Sequence, residues 1–231
     1  MCGLLFEYSN SKLSDKQDFI KSLNSLSHRG PDNIDFIEID NIRMGHTRLS
    51  IIDLNKRSNQ PLIIDDLIVI FNGEIFNYKE IKIDLENLGY VFKTETDTEV
   101  IIHSYSEWGK DCVSKFNGMW AFVIYDKSRK EVFASRDRFG IKPFFVFNTN
   151  DGFFFSSEIE PLTKFSYKLK IDKEYISEFI RQGDPEYSGN TFFSDIKELS
   201  PAHNLVINRN KKIKTYLYWD YPREITINFL F

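Results

Sequence analysis

Apolar residues cluster in short runs along the chain, and their spacing predicts the elements. Residues 2–8, CGLLFEY, read as a buried strand from the first residues. Phe19, Leu23 and Leu26 recur at helical spacing within Asp15–Leu26. Alternation over 34–39 and 42–46 predicts two strands joined by a turn at Asp40-Asn41. Residues 47–61 carry few regular signals and read as a long loop, a feature that in a compact domain is usually functional or disordered. A dense apolar strand follows at 67–71, then Asn72-Gly73, then a helix face of Tyr78, Ile81, Leu85 and Leu88 with Gly89 as its stop. Thr96 and Glu99 have the spacing of a capping box, opening a helix that runs to about Trp108.

Beyond Met119 the pattern is mainly strand. Residues 120–125 and 131–135 flank the polar turn DKSRK, and 144–147 and 153–156 flank NTNDG. Short helices are predicted at about 158–164 and 172–182, and a last hairpin pairs 204–207 with 213–218. Long hairpins with a few segregated helices predict an α+β fold with two antiparallel sheets packed together. No linker divides the 231 residues, so one large domain is expected over 2–220, with 221–231 as a tail.

Composition narrows the classes. Thirty basic and 34 acidic residues give a net charge of −4, without a block of like charges, so neither nucleic acid nor an anionic membrane is expected as a partner. The first residues lack the basic region of a secretory signal, and no run approaches the ~20 apolar residues of a membrane span. The two cysteines, Cys2 and Cys112, make no disulfide framework, which fits a reducing cytoplasm. The four histidines are scattered without zinc-ligand spacing, and His46 and His203 read as structural or surface residues. No phosphate-binding glycine loop is present. No metal and no cofactor is expected.

Cys2 is the most informative residue. Removal of Met1 would give it a free α-amine, with a pKa of roughly 8, able to activate the thiol within the same residue. A chance cysteine at a frayed end is the plain alternative. Arg48 opens the irregular loop and, taken alone, reads as a surface arginine. Asn72-Gly73-Glu74 has the signature of a hairpin turn, yet a helical pattern follows it. Asp97 sits where it would complement a helix dipole. Residues 136–143, RDRFGIKP, are either a solvated turn or a defined loop.

Together these segments resemble a class II glutamine amidotransferase domain, an N-terminal nucleophile hydrolase, and within that family the glutaminase domain of glutamine-dependent asparagine synthetases. The resemblance is carried by Cys2-Gly3, Arg29-Gly30-Pro31-Asp32, residues 45–53 (GHTRLSIID), Gln60-Pro61, residues 71–78 (FNGEIFNY), Thr96-Asp97-Thr98-Glu99, residues 118–122 (GMWAF), residues 136–143 and Ser156-Ser157-Glu158. It extends from residue 2 to about 220.

The resemblance implies a four-layer α-β-β-α sandwich and a set of roles. Cys2 would attack the side-chain amide of glutamine, with the Asn72 amide and the Gly73 N–H holding the oxyanion. Arg48 would pair the α-carboxylate through its guanidinium fork. Glu74 and Asp97 would hold the α-ammonium, and the Arg48–Ile52 loop would line the pocket. Asn77 and the Asp137 loop would be structural, and Cys112 an inert, partly buried thiol.

The family also has an ATP-dependent domain with a Ser-Gly-Gly-x-Asp-Ser loop, which this sequence lacks. The ammonia would therefore go to a missing synthetase domain or a separate partner that amidates aspartate. A truncated product, an isolated domain or half of a split enzyme are the corresponding expectations, and a homo-oligomer is another. The alternative is a catalytically incomplete glutamine-binding or scaffold remnant.

Overall fold

The computed structural model describes residues 1–183 and 188–221. The tail read at 221–231 therefore lies outside the described residues beyond Tyr221. The chain runs β1 (Gly3–Ser9), α1 (Lys16–Asn24), β2 (Asn33–Ile39), β3 (Ile42–Arg48), β4 (Leu62–Ile64), β5 (Leu67–Ile75), α2 (Tyr78–Asn87) and α3 (Asp97–Trp108). It continues with β6 (Gly118–Asp126), β7 (Glu131–Arg136), β8 (Phe145–Asn148), β9 (Gly152–Ser156), α4 (Ile159–Thr163), α5 (Lys173–Gln182), β10 (Ile196–Glu198), β11 (His203–Ile207) and β12 (Ile213–Leu217).

Two six-stranded sheets form, ordered β10-β8-β9-β1-β3-β2 and β12-β11-β7-β6-β5-β4. Strand alternation explains the layers, because successive side chains leave a strand on opposite faces. In β1, Leu4, Phe6 and Tyr8 enter the core between the sheets, while Leu5 packs toward α1 with Phe19, Leu23 and Leu26. In β5, Ile68 and Ile70 enter the same inter-sheet core, while Val69, Phe71 and Ile75 pack against Ile81, Leu85 and Ile101 of α2 and α3. Three apolar layers thus separate four layers of secondary structure, as the resemblance implies.

Three sequence expectations change in detail. The segment 47–61 is less irregular than its composition: β3 continues through Arg48, and a 3₁₀ turn forms at Lys56–Ser58. Asn72-Gly73 is no hairpin turn, since both residues lie inside β5, paired with Ala121 and Trp120 of β6. The capping box at α3 forms only in part. Thr96 accepts from the Glu99 N–H at 3.4 Å, but the Glu99 carboxylate turns to the N–H groups of Lys93 and Thr94, at 2.8 and 2.6 Å.

Candidate active site

At one end of the inter-sheet layer the apolar rows turn polar. On β1 the row Tyr8, Phe6, Leu4 runs on to Cys2; on β3, Met44 is followed by His46 and Arg48; on β5, Ile70 is followed by Asn72 and Glu74. The two-residue period that closes the core therefore delivers four polar side chains, Cys2, Arg48, Asn72 and Glu74, to one mouth, with His46 fully buried beneath them. Cys2, Arg48, Ile52, Asn72, Gly73, Glu74 and Asp97, the residues expected at the site, all line a single pocket of about 220 Å³.

Cys2 is half-buried and held from two sides. Its Sγ lies 3.4 Å from the Leu49 N–H that donates to it, and Arg29 Nε donates to its carbonyl at 2.9 Å. Burial raises the thiol pKa, against the Leu49 N–H and the positive charges of the chain terminus and Arg48. The resting group is a thiol, so attack requires a base.

The edge of β5 supplies what faces the thiol. β4 pairs only with Leu67, Ile68 and Val69, so beyond Val69 this edge of β5 has no neighbouring strand among the described residues. Trp120, opposite Gly73, directs its own N–H and C=O to Asp137, on the far side of β6. Gly73 is consequently a non-hydrogen-bonded partner of Trp120, and its N–H points to the open edge. On that edge the Phe71 N–H is accepted by Gln60 Oε1 at 2.6 Å, the Phe71 carbonyl meets His46 Nε2 at 2.9 Å, and the Ile75 N–H is accepted by Asp97 Oδ2 at 3.0 Å. Asn72 Nδ2 is buried and has no hydrogen-bond partner among the described residues. A Cβ on Gly73 would stand 2.3 Å from the Met119 carbonyl and 2.8 Å from Trp120 Cα, so glycine is required here.

The charged groups ring this pair of donors. Asp97 is the first residue of α3 and nearly fully buried; burial, with Glu74 adding repulsion, raises its pKa to about 6, although the Ile75 N–H favours the carboxylate. Glu74 is exposed at the rim. Arg48 is buried, and its terminal nitrogens donate to the carbonyls of Ile52, Asp53 and Asn55 and to Asn59 Oδ1. Its fork thus shapes the pocket wall and keeps a positive charge beside it.

Lys142, Gln60 and Thr98 also line the pocket and were not anticipated there. Lys142 is buried, which lowers its pKa with help from the nearby Arg29 charge. The polar extension of each apolar row is the signal that would have marked His46, which is buried behind the pocket against the Phe71 carbonyl. The structural residues behave as expected. Asn77 bridges the Lys115 carbonyl and the Asn117 N–H, and the Asp137 carboxylate accepts from the N–H groups of Trp120, Phe139, Ile141 and Lys142. Cys112 is more deeply buried than expected, fully enclosed with its thiol pKa raised by burial. Among the described residues no cluster of three His, Cys, Asp or Glu could hold a metal ion, and no helix is long and apolar enough to cross a membrane.

A family model described as a glutamine amidotransferase domain matches residues 1–219. Asparagine synthetase [glutamine-hydrolyzing] 3 of Bacillus subtilis is 33% identical over 97% of the chain and 37% of its own length. Asparagine synthetase [glutamine-hydrolyzing] 1 of the same organism is 36% identical over 94% of the chain and 35% of its length. A putative asparagine synthetase [glutamine-hydrolyzing] 2 of Methanocaldococcus jannaschii is 34% identical over 96% of the chain and 47% of its length. The chain thus spans less than half the length of these relatives. In fold it is similar to glutamine phosphoribosylpyrophosphate amidotransferase of B. subtilis, with a TM-score of 0.71, 20% identity, and coverage of 94% of the chain and 49% of that structure. With its two antiparallel sheets and the family model spanning nearly its whole length, the chain belongs to the glutamine amidotransferase family.

Proposed function

We propose that this chain is the glutamine-hydrolysing part of an asparagine synthetase-like enzyme, releasing glutamate and ammonia through a Cys2 thioester. The observation that carries this reading is the meeting of three groups at the open edge of β5: the Cys2 thiol, the partnerless Asn72 Nδ2 and the outward Gly73 N–H. A tetrahedral oxyanion needs two such donors, and one is worth about 10²–10³ in rate. Asp97 and Glu74 are anions for the α-ammonium, and Arg48 supplies positive charge for the α-carboxylate.

In this mechanism Met1 is removed, freeing the Cys2 α-amine. The amine takes the thiol proton, directly or through a water, as sulfur attacks the carboxamide carbon. It returns a proton to the departing nitrogen, and ammonia leaves. Water then attacks the thioester, giving glutamate and regenerating the thiol. The longer relatives, named as glutamine-hydrolysing asparagine synthetases, support an acceptor elsewhere, in a synthetase domain or partner that uses ATP to amidate aspartate. The two free thiols fit a reducing cytoplasm.

A second reading is a glutamine-binding module without turnover, favoured by exposed apolar side chains, among them Ile51 in the pocket wall and Phe139 and Ile141 in the loop that leads to Lys142. These would leave the site incomplete without a covering domain. Glutamate release from glutamine by the purified chain, with the N-terminal residue read by mass spectrometry, separates the two. Turnover by the Cys2-terminated chain, abolished in Cys2→Ala, supports the hydrolase. Glutamine-dependent stabilisation without product supports the module.

A further inference from the structure

The structure assigns His46 and Gln60 as positioning residues that clamp the two sides of Phe71 and so aim the neighbouring Asn72 and Gly73 donors at the reacting carbonyl. The inference rests on the glutaminase reading above and deepens it.

Beyond the end of β4, Phe71 lacks the strand that would satisfy its N–H and C=O. Two side chains from different parts of the chain take that strand's place. Gln60 Oε1 accepts from the Phe71 N–H at 2.6 Å, and Gln60 Nε2 is itself fixed by donating to Thr98 Oγ1 at 3.2 Å. His46 reaches across from the facing sheet, and its Nε2 lies 2.9 Å from the Phe71 carbonyl oxygen. A carbonyl only accepts, so Nε2 carries the proton and Nδ1 is bare. Nδ1 is buried without a partner among the described residues. Burial keeps the ring neutral, lowering its pKa to about 4.

A buried nitrogen left unsatisfied is unfavourable to stability. An apolar side chain would fill this fully enclosed position between Leu4 and the other sheet without that penalty. The imidazole is therefore explained by what it holds. The peptide it grips joins Phe71 to Asn72, one bond from the amide side chain and one residue from the Gly73 N–H. A shift of about 1 Å in such donors can cost on the order of 10² in rate. His46 is not among the residues lining the pocket and acts through Phe71, whereas Gln60 borders the pocket as well as holding the Phe71 N–H.

The test uses the full chain with Met1 removed, as verified by mass, in the variants His46→Met, His46→Gln and Gln60→Met. Methionine keeps bulk without an N–H; the Gln amide puts an N–H close to where Nε2 stands. The probes are L-glutamate and its γ-aldehyde. The thiol adds across the aldehyde C=O to form a thiohemiacetal, whose oxygen needs the two donors. His46→Met should bind the aldehyde about tenfold to a hundredfold more weakly, with glutamate affinity and glutamine KM within about twofold, kcat falling in parallel, and His46→Gln restoring most of the loss; Gln60→Met, whose side chain also borders the pocket, should lose more affinity for the aldehyde than for glutamate. Equal weakening of both probes, no weakening, or a His46→Gln variant as impaired as His46→Met would overturn the assignment. Should the parent neither hydrolyse glutamine nor take the aldehyde, the glutaminase reading falls by itself. The clamp is then decided by exchange of the Asn72 amide proton: about tenfold faster exchange in His46→Met supports it, and an unchanged rate overturns it.

Discussion

Arg29 holds the peptide of the nucleophile itself. Its Nε donates to the Cys2 carbonyl at 2.9 Å while its NH1 donates to Glu158 Oε1 at 2.8 Å. The chain terminus, ordinarily the loosest part of a domain, is thereby tied to the residue that opens α4. Arg29→Ala should lower kcat for glutamine hydrolysis about tenfold or more by loosening Cys2. Glu158→Gln should have a smaller effect, since the Cys2 contact survives. Steady-state glutamate release on Met1-free protein measures both.

Asp97 sets stability against function. Its folded pKa of about 6 lies above the ordinary value of 3.8, so the folded state resists its ionisation. This contribution is fully present below pH 3.8 and is lost as pH rises through 6. Asp97→Asn, which can still accept the Ile75 N–H, should raise the melting temperature at pH 7 while greatly weakening glutamine binding. The gain in stability should shrink between pH 6 and 4, and thermal melts over that range read the sign directly.

Gly73→Ala should damage fold and rate together. The added methyl meets the Met119 carbonyl, the Phe71 ring and Trp120 Cα, and two of these are backbone atoms of β6 that cannot step aside. Overpacking of this kind costs about 1–3 kcal/mol. Urea denaturation should show that loss, and an unaltered midpoint would contradict the strand geometry described for β5.

Asp137 is expected to be the most sensitive structural position near the site. Both carboxylate oxygens accept backbone N–H groups, Oδ1 from Phe139 and Ile141, Oδ2 from Trp120 and Lys142. In Asp137→Asn one oxygen becomes a donor facing donors. A loss of about 2–4 kcal/mol in stability is expected, with Asp137→Ala at least as severe. Chemical denaturation of both variants checks the order.

The two thiols should differ sharply. Iodoacetamide should modify Cys2 and leave the fully buried Cys112 untouched in the native chain, as peptide mass mapping would show. Modification of Cys112 at a comparable rate would mean that the packing against α3 opens readily.

The sequence carried the strands and helices because each shows its own period, and it carried Cys2, Arg48, Asn72, Glu74 and Asp97 through their motifs. What it withheld are relations across the chain. Residues 47–61 look irregular because their order comes from one guanidinium holding three loop carbonyls and an amide, which no local pattern records. Gln60 and His46 stand 11 and 25 residues from Phe71, whose N–H and carbonyl they respectively hold. Asn72-Gly73 misleads locally, since its turn propensity is overridden by pairing with Ala121 and Trp120. Lys142 lay within a charged loop whose inward direction is fixed by Asp137.

The polar ends of the core rows have a consequence for assembly. A slip of β5 by one residue against β6 would exchange its two faces throughout. Asn72 would turn toward the helices, the Phe71 side chain would turn into the inter-sheet layer, and Ile68 and Ile70 would leave it. Correct pairing is thus selected twice in the same strand, once by burial and once by chemistry. The fraction of molecules that form the covalent adduct with the γ-aldehyde would then count the fraction in native register, making the site a reporter of its own folding.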